Sequence, residues 1–97
     1  MSGQRQKALE ILTKNFPEQS RLFFGLGMTI FYAKNFGDAA EFLKQAVIAE
    51  PKLVNAIYQL AVCYSLTGNR QAALEQYKKL KEEDEEAAEE LLRRINR

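Results

Sequence analysis

Apolar residues recur along this chain at the three- and four-residue spacing of amphipathic helices, separated by short polar stretches. The densest apolar stretch, from Leu22 to Ala33, contains no charged residue. It is too short to span a membrane, which takes about 20 apolar residues, and Gly25, Gly27 and Met28 are poor strand residues. We therefore predict a helix with apolar groups on nearly every side, buried in the protein or covered by a partner.

The same spacing, with the start and stop signals of helices, predicts helices over residues 4–15, 20–34, 38–50, 53–67, 70–81 and 84–96. Residues 34–38 form a predicted turn, because Asn and Gly tolerate a chain reversal. Pro51 ends one helix, since proline has no backbone N–H to donate, and Gly68 ends the next. No proline or glycine separates the last two helices near Glu82, so the position of their break stays open.

A period of 34 residues underlies these helices. The two prolines of the chain, Pro17 and Pro51, lie 34 residues apart. Shifting the sequence by this period superposes side chains of similar character: Phe24 on Tyr58, Gly27 on Ala61, Ile30 on Tyr64, Ala39 on Ala73, and Leu43 on Tyr77. Such periods are typical of stacked helical arrays.

The period, its two helices and the residues at fixed places resemble the tetratricopeptide repeat family. The small residue in the middle of the first helix is Gly27 and then Ala61, and the closing proline is Pro17 and then Pro51. The other matching places are held by Ile30 and Tyr64, Ala39 and Ala73, Leu43 and Tyr77, and Gly68. The departures are Phe23 and Ile57 at the usual tryptophan-like place, and Glu85 where a third closing proline would fall.

The resemblance implies an all-α fold, an α-α superhelix of antiparallel helix pairs. The 97 residues suit one domain. Within it we predict an N-terminal helix at 4–16 in the second-helix slot of an earlier repeat, then repeat 1 at 20–53 and repeat 2 at 54–82. Residues 83–97 form the predicted C-terminal capping helix, of the kind a stacked array needs at its end.

In this family the first helices line a concave groove that binds peptides or partner helices. Helical spacing divides the apolar helix into a face predicted to pack against the following helix, Phe23, Leu26, Gly27 and Ile30, and a face toward the groove. The predicted partner-binding residues are Phe24, Met28, Phe31, Tyr32, Tyr58, Gln59 and Val62. Phe24 and Met28 stand where a lysine and an asparagine would be needed to clamp a peptide carboxylate, so we expect an apolar or amphipathic ligand instead.

These observations favour a non-catalytic protein–protein interaction module. The alternative is a structural or assembly role, in which the same apolar face makes a homodimer, and burial of this face within the chain is a third possibility. An enzyme is disfavoured because no acid–base or nucleophile constellation is visible. The chain has no histidine, and Cys63 is expected to pack rather than react. We therefore expect no metal and no cofactor.

Composition adds limits on partners and location. A formal net charge of +1 gives no overall field that would attract nucleic acid, and the 34-residue period differs from that of related RNA-binding repeats. The single cysteine cannot form an intramolecular disulfide. We expect a cytoplasmic protein that does not insert into membranes.

Overall fold

The computed structural model describes residues 17–96. Within this range the chain forms five α-helices and no strand: α1 Pro17–Tyr32, α2 Phe36–Ala49, α3 Val54–Leu66, α4 Arg70–Glu83 and α5 Glu85–Ile95. The all-α prediction is confirmed, and these helices agree with the predicted ones to within three residues at each end. The helix predicted at 4–16 lies outside the described residues.

Each helix packs against the next one, and α3 also packs against α5. The helices therefore form a continuous stack in which α1 pairs with α2 and α3 pairs with α4. None of the helices in the described region combines the length and the apolar character that a membrane crossing requires.

The core between these helices is built on small residues that let the backbones approach closely. A Cβ atom added at Gly27 would lie 2.8 Å from Cγ of Leu43, whose side chain is fully buried in α2. In the second pair Ala61 and Ala73 are completely buried. The predicted small positions are therefore buried, and at Gly27 the neighbouring helix leaves no space for a larger residue.

The turns inside both helix pairs have the same hydrogen bonds, 34 residues apart. The Asn35 N–H donates to the Ile30 carbonyl at 3.2 Å, and the Asn69 N–H donates to the Tyr64 carbonyl at 2.8 Å. The residues just before these asparagines, Lys34 and Gly68, have positive φ values of 67° and 83°. Each turn is thus a Schellman motif that closes a helix C-terminus.

These turns correct the predicted loop over residues 34–38. Phe36 and Gly37 already belong to α2, because the Asn35 side chain caps that helix by accepting a hydrogen bond from the Asp38 N–H. The residue with the left-handed conformation is Lys34, whereas the prediction relied on Asn and Gly. The link between the two helices is three residues long, 33–35, because the motif that ends α1 is followed directly by the cap of α2.

The prediction that Leu26 packs against the following helix is wrong. Leu26 is 41% exposed, whereas Leu60, its equivalent one period later, is 1% exposed. Leu60 belongs to α3, which packs against α2, α4 and α5. Within the described residues no helix precedes α1 to cover Leu26 in the same way.

The break that the sequence left open near Glu82 occurs at Asp84. This single residue ends α4, with its N–H donating to the Leu80 carbonyl at 2.7 Å, and its carboxylate caps α5 by accepting from the Ala87 N–H at 3.1 Å. The connection between α2 and α3 takes four residues, 50–53. Asp84 alone therefore replaces the turn that residues 50–53 form between α2 and α3.

Candidate peptide-binding groove

Alternate helices of the stack, α1, α3 and α5, form two depressions that share Arg94. The first has a volume of about 250 Å³ and is lined by Phe31, Val62, Ser65, Leu66, Arg94 and Ile95. The second has a volume of about 330 Å³ and is lined by Val54, Asn55, Tyr58, Gln59, Ala87, Glu90 and Arg94. We call the two together the groove.

The groove contains four of the seven residues predicted to bind a partner, namely Phe31, Tyr58, Gln59 and Val62. Phe24 and Met28 are half-buried and pack against the core beside the groove. Tyr32 is 76% exposed at the end of α1, where its ring meets Phe31 edge to face at 5.7 Å. These three side chains do not line either depression.

Aromatic packing fixes the apolar end of the groove. The ring of Phe31 lies 5.2 Å from the ring of Phe36, at the start of α2, in an edge-to-face arrangement. Val62 is almost fully buried beside it, while Leu66 is 53% exposed. The apolar end is thus a packed floor with an exposed leucine at its edge, a combination that suits contact with another apolar side chain.

The polar end of the groove is organised around Tyr58. The Arg94 guanidinium lies 5.7 Å from the centre of the Tyr58 ring, within the range of a cation–π contact. Burial raises the pKa of Tyr58, and the charge of Arg94 partly opposes this effect. The phenol is therefore neutral at physiological pH and is available as a hydrogen-bond donor.

Gln59 lies at the same end. Its Oε1 atom is buried and has no hydrogen-bond partner among the described residues. A buried carbonyl oxygen without a partner costs about 1–3 kcal/mol. Because the atom is buried, a ligand reaches it only when the Gln59 side chain turns toward the groove.

Arg94 is a groove residue that the sequence reasoning missed. Arg94 is the equivalent of Leu60 one period later, and Leu60 is buried. The period therefore gave no reason to expect Arg94 at a surface site. The period fails there because α5 begins directly after Asp84. A usable signal was the four-residue spacing of Glu90 and Arg94, which puts both on one face of a helix.

No reactive group adjoins the groove in the described part of the chain. Cys63 is completely buried, and burial raises the pKa of its thiol to about 11, so the sulfur is protonated and inaccessible. The prediction that Cys63 serves packing is confirmed by this burial. Among residues 17–96 no group of three or more His, Cys, Asp or Glu side chains is placed to hold a metal ion.

Comparison with protein families gives one finding. The family model described as Tetratricopeptide repeat matches residues 31–95, from the end of α1 to the end of α5. Searches of curated proteins and of solved structures found no match.

Proposed function

Since the chain belongs to the tetratricopeptide repeat family, we propose that it is a non-catalytic module that binds a protein partner in its groove. Membership of this family indicates a protein–protein interaction module in general terms. The finer proposal is that the ligand is an apolar peptide or an amphipathic helix, which lays apolar side chains along the groove.

The observation that carries this proposal is the apolar end of the groove. Phe31, Val62 and Leu66 come from two different helices and surround one depression of about 250 Å³. Helix-in-groove recognition uses such pockets for apolar side chains at the i, i+3, i+4 and i+7 positions of the ligand. Rigid aromatic side chains are also the commonest hot spots of interfaces.

The polar end of the groove would orient the ligand. Arg94 lines both depressions and offers a positive charge. We therefore expect the ligand to carry an acidic side chain next to its apolar residues. Such groups contribute more to orientation and specificity than to affinity.

Selection from a library of amphipathic peptides of about 15 residues, long enough to form a helix, would test the proposal. The informative variant is Leu66→Glu, because Leu66 is half-exposed and its replacement leaves the core intact. The matched control is Ile48→Glu, since Ile48 is 45% exposed on α2, away from the groove.

Selected peptides should bind the wild-type protein and Ile48→Glu equally, and should bind Leu66→Glu about tenfold or more weakly, since a charge would be buried against an apolar side chain. Equal binding to all three proteins, with helical content unchanged, would place the interaction elsewhere. Charged substitutions of Phe31 or Tyr58 would probe the floor, but only with circular dichroism to verify folding, because both pack against the core.

The alternative function is self-association of two copies through the same groove. It is favoured by Leu66 and Tyr32, large apolar or aromatic side chains that are 53% and 76% exposed near the apolar end. Light scattering at increasing concentration separates the two proposals. A dimer that Leu66→Glu dissociates and Ile48→Glu does not would support self-association, and a monomer at high micromolar concentration would exclude it.

We infer no cofactor and no nucleic-acid partner, which the net charge of +1 supports. A cytoplasmic location is supported by the single cysteine, Cys63, which is a free thiol.

A further inference from the structure

The two charged side chains of the groove lie in a definite order along it. Arg94 lines both depressions, whereas Glu90 lines only the polar one. Leu66 and Ile95 line only the apolar depression. Along the groove the order is therefore the apolar depression, then the positive charge of Arg94, then the negative charge of Glu90.

The spacing of these three points matches the turns of an α-helix. Glu90 and Arg94 are four residues apart in α5, which is about 6 Å along the helix axis. Tyr58 at the polar end and Leu66 at the apolar end are eight residues apart in α3, or about 12 Å. A ligand helix lying along the groove would thus meet the apolar depression, Arg94 and Glu90 at intervals of about one turn.

Both charges are available to a ligand. Glu90 and Arg94 are exposed, and in the described part of the chain no ion pair joins them. Burial raises the pKa of Tyr58, the charge of Arg94 lowers it and the charge of Glu90 raises it, so both charges act on the same ring. The contact of Arg94 with this ring holds the guanidinium and leaves its N–H groups free to donate to a carboxylate.

We propose that the groove selects the charge order of its ligand helix: an acidic residue about one turn from the apolar anchor, and a basic residue about one turn further along. This inference rests on the proposed function, because it concerns the ligand of the same groove. The acidic residue pairs with Arg94 and the basic residue with Glu90. Such exposed pairs add little affinity, but a ligand with the reverse order would bring like charges together and is rejected.

Selection from the library of amphipathic peptides reports the charge order when glutamate, lysine and glutamine are equally frequent at its polar positions. The informative protein is the double variant Glu90→Arg with Arg94→Glu, which exchanges the two charges and leaves the net charge at +1. The matched control is Glu89→Arg with Arg93→Glu. This pair has the same spacing on α5 and is equally exposed, but it lines neither depression.

Peptides selected on the wild-type protein and on the control should carry an acidic residue one turn from the apolar anchor and a basic residue two turns from it. Peptides selected on the double variant should carry the reverse order. Exchanging the glutamate and the lysine of a selected peptide should weaken its binding to the wild-type protein about tenfold, since two attractive contacts become repulsive. The same exchange should strengthen binding to the double variant. Far-UV circular dichroism verifies that each variant keeps its helical content.

Four results would overturn the proposal. Selected peptides without a charge order, whose binding Leu66→Glu still weakens, would leave the proposed function standing and remove the charge selection alone. The wild-type order on the double variant would assign this selection to other residues. Selection of no peptide, or binding that does not depend on Leu66, would remove the proposed function as well. A protein dimer that the selected peptides do not dissociate would make a second copy of the chain the occupant of the groove.

Discussion

Two glycines in α1, two residues apart, have opposite relations to their surroundings. A Cβ at Gly27 would come within 2.8 Å of the buried Leu43, whereas a Cβ at Gly25 would meet nothing within 4 Å. We expect Gly27→Ala to lower the free energy of unfolding by about 1–3 kcal/mol, because the new methyl group would force the fully buried Leu43 side chain to shift. Gly25→Ala should raise it by about 0.5–1 kcal/mol, since glycine is a poor helix residue. Urea denaturation measures both.

The pair of substitutions is its own control, because both add one methyl group to the same helix. If both substitutions raised the free energy of unfolding, helix propensity or chain entropy would dominate. The Leu43 side chain would then accommodate the methyl group at position 27 without cost. Adding Leu43→Val to Gly27→Ala should recover part of the lost stability, since the smaller side chain makes room for the new methyl group.

At the C-terminal turns of α1 and α3, two substitutions should change the free energy of unfolding in opposite directions. Lys34 holds the left-handed conformation that Gly68 holds one period later, and this conformation costs about 1–2 kcal/mol for a residue with a Cβ. Lys34→Gly should therefore stabilise the protein by about 0.5–1 kcal/mol, after the greater freedom of glycine in the unfolded chain is subtracted. Gly68→Lys should destabilise it by about 1 kcal/mol.

Thermal or urea unfolding of these two variants isolates the backbone effect. Lys34 is exposed, and a Cβ at Gly68 would meet nothing within 4 Å, so neither change alters packing. Destabilisation by Lys34→Gly would mean that the lysine side chain makes a contribution larger than the strain of its backbone.

At the scale of whole elements, α5 depends on one residue for its start. Asp84 alone connects it to α4 and caps it through the Ala87 N–H. Asp84→Ala should lower the free energy of unfolding by about 1 kcal/mol, the usual loss for a helix N-cap. It should also weaken ligand binding in the groove, because α5 supplies Arg94. Urea denaturation and peptide titration measure the two effects.

Glu82→Ala is the matched control for Asp84→Ala. Glu82 is an exposed carboxylate two residues earlier that no helix uses as a cap, so its loss should change stability by less than about 0.5 kcal/mol. Equal effects of the two substitutions would indicate that the loss of negative charge matters, rather than the loss of the cap.

The elements also show which features the sequence could predict. The 34-residue period located the close contact at Gly27 and the turn at Gly68. A small residue in the middle of an apolar helix indicates close helix packing, and a glycine after a helix indicates its C-terminal turn. It failed for Leu26, because the burial of such a side chain depends on a neighbouring helix and not on its place in the period: Leu26 is 41% exposed and Leu60 is 1% exposed. It failed for Lys34 because lysine carries no local signal for a left-handed conformation.

Part of the groove could also be predicted from the sequence. Phe31, Tyr58 and Val62 line the groove, whereas Phe24 and Met28, predicted from the same helical spacing, do not. Whether any of them binds a partner stays a prediction. Arg94 was not found, because the period is interrupted by the short link at Asp84. The 34-residue period identifies equivalent residues only where the connections between repeats have the same length.

At the scale of the whole molecule, the helices differ in how many neighbours hold them. Within the described residues α1 packs closely only against α2, whereas α3 packs against α2, α4 and α5. In stacked repeats stability is close to a sum over neighbouring contacts, so the ends can open without the middle. Hydrogen exchange of backbone amides should therefore be slowest in α3 and faster in α1.

In a stack of this kind, the effect of a destabilising substitution should be largest in the helices next to it. Gly27→Ala weakens the contact between α1 and α2, and should speed amide exchange in these two helices while leaving α5 nearly unchanged, because α5 contacts only α3 and α4 closely. Exchange measured residue by residue with nuclear magnetic resonance resolves this. Equal acceleration in all helices would mean that the domain opens as one cooperative unit. The groove, which takes residues from α1, α3 and α5, would then be lost in a single step rather than from its α1 side.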